Sequence, residues 1–137
     1  NFFPEDAHHQ LLADLSLNLA GVVSQRLIPG LKQKLVPAVE VMVQSPFISD
    51  LIAKGEIAAI KEAMSHSTGA GMCTFDQALY FLYAEGRISL DEALHNADSR
   101  TDLSLRIRLA AGVNPSETGD LAFDSSQAIA ATSRRLN

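Results

Sequence analysis

The chain has 137 residues, of which 47% are hydrophobic and 20% are charged, a composition typical of globular domains. Eleven Lys and Arg against sixteen Asp and Glu give a formal net charge of −5. This charge disfavours a general nucleic-acid binder, because neutralising phosphates requires a basic surface. No apolar run approaches the roughly 18 residues of a membrane-spanning helix, and the single cysteine, Cys73, excludes an internal disulfide.

The first part of the chain predicts one helix followed by a β-hairpin. Pro4 suits a first helical position and four leucines, Leu11, Leu12, Leu15 and Leu19, share one face, so we expect a helix over residues 4–20. Two valine-rich runs, 22–28 and 35–43, flank a Pro-Gly break and predict an antiparallel hairpin. The second run hardly alternates, which is typical of a strand covered on both faces. Because a lone hairpin is marginal in water, we expect this one to join a larger sheet.

Residues 45–111 predict a bundle of four or five short helices. Ser45, Thr74, Ser89 and Ser99 each stand where an N-cap residue belongs, one to four residues before an apolar helical pattern. We expect the buried faces to carry Ile48, Leu51, Ile52, Ile57, Ile60, Met64, Phe75, Leu79, Leu82, Leu103, Ile107 and Leu109.

Beyond this bundle the composition becomes rich in Ser, Asp, Gly and Thr, with few large apolar residues. Residues 112–137 are therefore predicted to be a flexible tail. Within them, residues 126–136 have the pattern of a marginal helix that needs a groove to stabilise it.

Recognisable catalytic motifs are missing from the sequence. It contains no G-x-x-x-x-G-K-[ST] loop, no G-x-G-x-x-G, no G-x-S-x-G and no H-E-x-x-H. The four histidines are scattered, and we assign neither a metal site nor a catalytic residue. The acidic residues are scattered around predicted helix starts, which favours capping and helix-dipole roles over an acid–base pair; they are Asp76, Glu85, Asp91, Glu92, Asp98 and Asp102.

Two further features leave alternatives open. Residues 74–97 have the outline of a helix-turn-helix. From Thr74 to Asp98, however, there are five acidic residues and a single arginine, Arg87, which favours a packing role over DNA recognition. Arg26 stands in the middle of the first predicted strand between polar and apolar neighbours. It is either an exposed edge-strand residue or a cation that serves a ligand or a neighbouring subunit.

Several separated segments together resemble one known family. They are residues 1–5, 21–29, 36–42, 71–79, 82–83, 86–89, 92–94 and 97–99. The family is the PilT/PilU type IV pilus retraction ATPases of the secretion ATPase superfamily. Residues 21–29 and 36–42 are similar to the last hairpin of its RecA-like core, the stretches from 71 to 99 are similar to its C-terminal helical region, and residues 1–5 fit the segment before the last core helix. The resemblance runs in continuous order over residues 1–110.

The resemblance implies a mainly α fold, in which a C-terminal helical bundle is preceded by the last helix and β-hairpin of a RecA-like α/β ATPase core. Residues 1–44 would be the core piece, 45–111 the C-terminal helical domain and 112–137 the tail. The family's Walker A, Walker B, Asp box and His box would all lie before residue 1. The full-length protein would use ATP and Mg²⁺, whereas this part would be non-catalytic and hold no cofactor.

One motif favours the PilU branch of the family. In the PilT branch, an Ala-Ile-Arg-Asn-Leu-Ile-Arg-Glu motif is implicated in retraction, and residues 47–54 align with it. Ile48, Leu51 and Ile52 retain its apolar positions, while both arginines and the glutamate are replaced. This departure is compatible with a helper ATPase that assists the principal retraction motor.

By the resemblance, the full protein would form a cytoplasmic hexamer at the inner membrane and drive pilus retraction. Its partners would be its own subunits, the principal retraction ATPase and the inner-membrane platform protein, with no nucleic acid. Ser24, Gln25 and Arg26 would lie near the nucleotide. Contacts that couple domains or subunits would come from an apolar set that an intradomain core also explains: Ile48, Leu51, Ile52, Ile57 and Ile60. A stand-alone, non-enzymatic helical adaptor is the alternative function.

Overall fold

A computed structural model describes residues 4–112 of the chain, which form six α-helices, one two-stranded antiparallel sheet and a short 3₁₀ helix. In chain order the elements are α1 (Glu5–Asn18), β1 (Gly21–Pro29), β2 (Leu35–Val43), α2 (Pro46–Lys54), α3 (Ile57–Ser65), the 3₁₀ helix (Thr68–Ala70), α4 (Phe75–Ala84), α5 (Leu90–Asn96) and α6 (Arg100–Ala110). The predicted fold class, mainly α with a hairpin after the first helix, is confirmed. All of the predicted tail except Gly112 lies outside the described residues.

Local capping bonds set the helix boundaries where the sequence placed them. The hydroxyl of Ser45 accepts a hydrogen bond from the Ile48 N–H at 3.2 Å, and that of Ser89 accepts one from the Glu92 N–H at 3.1 Å. Gly55 ends α2 in the left-handed conformation (φ 73°), and its N–H donates to the Ile52 carbonyl. Such a conformation suits glycine, so the position of Gly55 fixes where α2 ends.

Within the described residues, β2 has fully buried side chains on one face only, so the expectation of a strand covered on both faces is wrong for β2. Val36, Ala38 and Met42 are buried at alternating positions, whereas most of β1 is exposed apart from Ile28. On the other face of β2, Pro37 is exposed and Val39 and Val41 are half-buried. Beside β2, Val41 also forms an isolated antiparallel bridge with Cys73.

The chain divides into two compact units, and the hairpin contributes to both. Among the described residues, the first comprises residues 4–25 and 39–74, and the second comprises residues 26–38 and 75–112. The first unit's core is Met42, Ile48, Leu51, Ile52, Ala63, Met64 and Met72. The second unit's core is Ile28, Val36, Ala38, Phe75, Leu79, Leu82, Ile88, Ala93, Leu103 and Ile107. The expected domain limits 1–44 and 45–111 concern kinship with an ATPase core, so they stay a prediction.

In the first unit, the end of α1 is tied to its neighbours through the Ser16 carbonyl. This oxygen accepts hydrogen bonds from Gln44 Nε2 at 2.8 Å and from the Ser49 hydroxyl. The Gln44 N–H donates in turn to the Ala20 carbonyl at 3.0 Å. These bonds fix the approach of α1 to the end of β2 and the start of α2, which shapes the surface between them.

In the second unit, α6 buries a narrower stripe than the sequence predicts. Leu103 and Ile107 are buried as expected, but Leu109 is 57% exposed, so its predicted inward position is wrong. Leu109 lies one residue before α6 ends at Ala110, where the core no longer covers the helix. No helix within residues 4–112 is long and apolar enough to cross a membrane.

The turn of the hairpin requires a glycine. A Cβ atom at Gly30 would lie 2.4 Å from the Gln33 carbonyl oxygen and 2.7 Å from Val36 Cγ2. The next residue, Leu31, donates its N–H to the Arg87 carbonyl at 2.9 Å and so holds the turn in place. The backbone at Gly30 therefore has little freedom to move away from an added side chain.

We expect Gly30→Ala to lower the free energy of unfolding by about 1–3 kcal/mol, because an added methyl group overpacks a site walled by backbone. Thermal and urea unfolding of the whole chain measure the change. Gly69→Ala is the matched control, since a Cβ there meets no atom within 4 Å, and it should change stability by less than about 1 kcal/mol. Equal effects at the two glycines would contradict the packing argument.

Tyr83 carries a buried hydroxyl without a hydrogen-bond partner among the described residues. Burial, and to a smaller extent the neighbouring Tyr80, raises the pKa of the Tyr83 phenol above its ordinary value of 10.0. The folded chain therefore favours the neutral phenol. As the pH rises above about 10, the unfolded chain ionises first, and the folded state loses stability.

Tyr83→Phe should leave stability at neutral pH unchanged or raise it by up to about 1 kcal/mol, because it removes an unpaired buried hydroxyl. Above about pH 10 the advantage of the variant should grow. The chain has two tyrosines, so ultraviolet titration of wild type and variant assigns the later-ionising phenol. Parallel stability curves from neutral to alkaline pH would refute the assignment.

Candidate functional site

Arg26 is held by three groups of the second unit, a set of contacts that we call the Arg26 anchor. Its guanidinium lies over the ring of Phe75, with Cζ 3.9 Å from the ring centroid. Nη2 is 3.1 Å from Asp98 Oδ1, and Nη1 donates to the Asn96 carbonyl at 3.4 Å. The Arg26 side chain is 50% exposed. It is thus an exposed strand residue, as one interpretation of the sequence held, but its charge is paired within the chain.

Asp76 positions the acidic partner of this anchor. Its two carboxylate oxygens accept the N–H groups of Asp98 at 2.8 Å and Ser99 at 2.9 Å. Ser99 caps α6 by accepting from the Asp102 N–H at 3.4 Å, and its hydroxyl donates to the Asp102 carboxylate at 2.7 Å. The start of α4 thereby fixes the turn between α5 and α6, so Asp98 faces Arg26.

The sequence gives only part of this arrangement. The carboxylates of Asp76 and Asp102 do bind backbone N–H groups or a capping serine, the kind of role that their positions predicted. The partnership of Arg26 with Asp98 was missed, because 72 residues separate the two. The only signal was an arginine in the middle of a predicted strand.

An apolar cleft of about 430 Å³ opens on the first unit. Its walls are side chains of α1, of the hairpin base and of α3, among them Leu12, Leu15, Leu19, Met42 and Met64. The polar residues of the lining are Ser24, Glu40 and Lys61. A surface of this kind binds apolar side chains or ligands and offers little to a charged substrate.

The apolar residues predicted to couple domains or subunits fall into two groups. Ile48, Leu51 and Ile52 are 1%, 4% and 4% exposed and belong to the first unit's own core, as the intradomain alternative expected. Ile52, Ile57 and Ile60 line the apolar cleft, and Ile57 is 56% exposed, so its expected place on a buried helix face is wrong. A coupling role for these five residues stays a prediction, and Ile57 is the best placed of them to meet another molecule.

The three residues predicted to lie near a nucleotide have different surroundings. Ser24 lines the apolar cleft, Gln25 is exposed, and Arg26 belongs to the anchor. In residues 4–112 no group of three or more His, Cys, Asp or Glu side chains could hold a metal ion. The described residues therefore position helices and offer an apolar surface, and the nucleotide role stays a prediction.

Arg26→Ala should lower the free energy of unfolding by about 1–2 kcal/mol, combining a partly exposed ion pair with a cation–π contact. A double-mutant cycle with Asp98→Ala should give a coupling energy of about 0.2–1 kcal/mol. Urea unfolding measures both values. Arg87→Ala is the control, because the Arg87 side chain pairs only loosely with Glu85, at 3.7 Å and with both groups exposed. An Arg26 variant as silent as the Arg87 variant would count against the anchor.

Comparisons with known proteins bear on these features. No family model matches the chain. It is 50% identical over 110 residues to the type IV pilus ATPase PilU of Pseudomonas aeruginosa. The match covers 80% of this chain and 29% of PilU. It is 34% identical over 95 residues to the type IV pilus retraction ATPase PilT of the same organism, covering 69% of this chain and 28% of PilT.

A solved structure of the pilus retraction motor PilT with bound ADP has the same fold over most of this chain. The TM-score is 0.66 at 29% identity, and the match covers 75% of this chain and 28% of that one. The chain thus spans less than a third of the length of these relatives. The resemblance inferred from the sequence is confirmed: this chain is related in sequence and fold to the type IV pilus ATPases PilU and PilT, and it fits the C-terminal part of such a protein.

Proposed function

We propose that this chain is the C-terminal part of a PilU-like twitching-motility ATPase, a protein that couples ATP hydrolysis to type IV pilus retraction. The observation that carries the proposal is the 50% identity to PilU over 110 residues. Identity to PilT is lower, at 34% over 95 residues, which supports the PilU branch and a role as helper to the principal retraction motor. In the proposal, the full protein is a hexamer in the cytoplasm at the inner-membrane pilus platform.

The part represented by this chain is proposed to be non-catalytic. Phosphoryl transfer needs a phosphate cradle and a Mg²⁺ site, and the sequence of 137 residues contains no G-x-x-x-x-G-K-[ST] loop. Both ligands are therefore assigned to the remainder of the full-length protein.

The proposed role of this part is mechanical, and the Arg26 anchor supports it. Arg26 stands next to Ser24 and Gln25, the residues that the resemblance places near the nucleotide. Its guanidinium contacts Phe75 at the start of α4 and Asp98 between α5 and α6. A displacement of β1 at Arg26 is thereby passed to two points of the helical bundle at once. Exposed apolar residues of the cleft, Ile57 above all, are the proposed contacts with neighbouring subunits.

The test begins with the coding frame upstream of Asn1 and the full-length protein that it encodes. We expect the frame to contain a G-x-x-x-x-G-K-[ST] loop, the purified full-length protein to hydrolyse ATP, and the 137-residue chain alone to show only background hydrolysis. A frame without such a loop, or hydrolysis by the chain itself, would overturn the proposal. The first of these results would favour the stand-alone adaptor.

The mechanical role has its own test in a piliated bacterium that lacks the native gene. Full-length protein with Arg26→Ala should restore less than about half of the twitching zone that wild type restores, because the anchor no longer passes motion to the bundle. Its ATPase rate should change much less than the zone. Arg87→Ala should restore twitching fully. Equal twitching with both variants would show that the anchor has no role in force transmission, and it would leave the ATPase proposal unaffected.

A further inference from the structure

Helices α4 and α6 of the second unit present an exposed patch that combines apolar and charged side chains. Four exposed residues at helical spacing share one side of α6: Asp102, Leu105, Arg106 and Leu109. This side is turned by about 130° from the buried stripe of α6, and the two leucines are 42% and 57% exposed. Phe81 of α4, which is 50% exposed, adjoins Arg106. We call these five residues the α4–α6 patch.

Aromatic rings of α4 hold the arginine of this patch in place. The Cζ atom of Arg106 lies 4.5 Å from the ring centroid of Tyr80 and 5.9 Å from that of Phe81. The two rings pack edge to face, with their centroids 5.8 Å apart. Because the guanidinium is already ordered, it loses less side-chain entropy when another molecule binds. Aromatic residues and arginine are also the residue types enriched at protein interfaces.

The patch carries one positive and one negative charge, one helical turn apart. Among residues 4–112, the Arg106 guanidinium has no carboxylate within ion-pair distance. The Asp102 carboxylate accepts a hydrogen bond from the Ser99 hydroxyl at 2.7 Å, and a carboxylate has further acceptor positions. Both groups can therefore form an ion pair with another molecule that presents the opposite charges in reverse order.

We propose that the α4–α6 patch is a twofold contact between two copies of this chain. A twofold axis presents the same patch in reversed order, so a surface that bears both charges complements itself. An antiparallel arrangement of two α6 helices, with the axis near Leu105, brings Arg106 of each copy close to Asp102 of the other. Their Cα atoms then differ by about 3 Å along the helix direction. The two Leu105 side chains meet at the centre, and Leu109 and Phe81 add apolar area around them.

The charge and size of the patch favour a second copy over other occupants. Its two opposite charges cancel, so it offers no net attraction to a polyanion or an anionic membrane. A contact made by three exposed apolar side chains is small, and we therefore expect a weak, reversible dimer. The contact depends only on α4 and α6, and it stands independently of the proposed pilus function.

Sedimentation equilibrium of the 137-residue chain tests the proposal. The weight-average mass should rise from 14.7 kDa towards twice that value between about 10 µM and about 1 mM protein. In Arg106→Glu, carboxylates face each other and the Kd should increase by about tenfold or more. Leu105→Asn, which removes the apolar contact at the axis, should increase the Kd by about fivefold or more. Circular dichroism should show that both variants keep the wild-type helix content.

A mixture of two variants tests the twofold arrangement itself. Arg106→Glu leaves two negative charges on the patch, and Asp102→Lys leaves two positive ones. Each variant alone should associate weakly, whereas an equimolar mixture should form a heterodimer about as tight as the wild-type dimer, because every charge then meets its opposite. Asp102→Lys keeps the cap of α6, since the Ser99 hydroxyl accepts from the backbone N–H of residue 102.

Two matched controls make the same chemical changes outside the patch. Lys32→Glu reverses a charge at an exposed residue of the hairpin turn, and Leu17→Asn changes a leucine that is 81% exposed; both should associate as wild type does. A chain that stays monomeric at about 1 mM would overturn the proposal and leave the patch to a different protein. Association that persists unchanged in Arg106→Glu and Leu105→Asn would place the contact elsewhere, such as at the edge of β1. That result would equally overturn the proposal, and so would a mixture that fails to associate.

Discussion

A two-stranded hairpin is at best marginally stable in water, and the rest of this fold depends on that constraint. Met42 of β2 is buried in the first unit's core, whereas Ile28, Val36 and Ala38 are buried in the second unit's core. β2 therefore supplies side chains to both cores. The close turn at Gly30 fixes how the two strands pair. A shift of one residue in that pairing would turn the buried side chains of β2 to the opposite face.

The Arg26 anchor contributes more to the orientation of the Arg26 side chain than to the stability of the fold. An ion pair in which one partner is half exposed is worth only about 0.2–1 kcal/mol, and the stacking of a guanidinium on an aromatic ring adds a similar amount. Neither value compares with the burial of Phe75, which is 1% exposed. The anchor nonetheless fixes one guanidinium between a ring, a carbonyl and a carboxylate. Three contacts at one planar group define an orientation that apolar packing alone leaves free.

The sequence predicted best what is determined within a few residues along the chain. Ser45, Ser89 and Gly55 act on backbone groups three or four residues away, and their helices begin and end where expected. Whether β2 is buried on both faces, and whether Leu109 points inward, depends on which elements pack against them in the folded chain. Both expectations were wrong. The pairing of Arg26 with Asp98 bridges 72 residues. No periodicity or capping pattern encodes a contact at that separation.

The exposed surface of β1 is best understood through the proposed function. Val22, Val23 and Leu27 are 46%, 72% and 55% exposed, although residues of these types usually favour burial. A free strand edge with such side chains attracts further strands. The chain spans less than a third of the length of its relatives. In a longer ATPase of the proposed kind, the hairpin would be the last part of a larger sheet, and the same side chains would face protein. On the proposed function, the exposed side chains of β1 would be covered in the full-length protein, an explanation that a stand-alone adaptor does not offer.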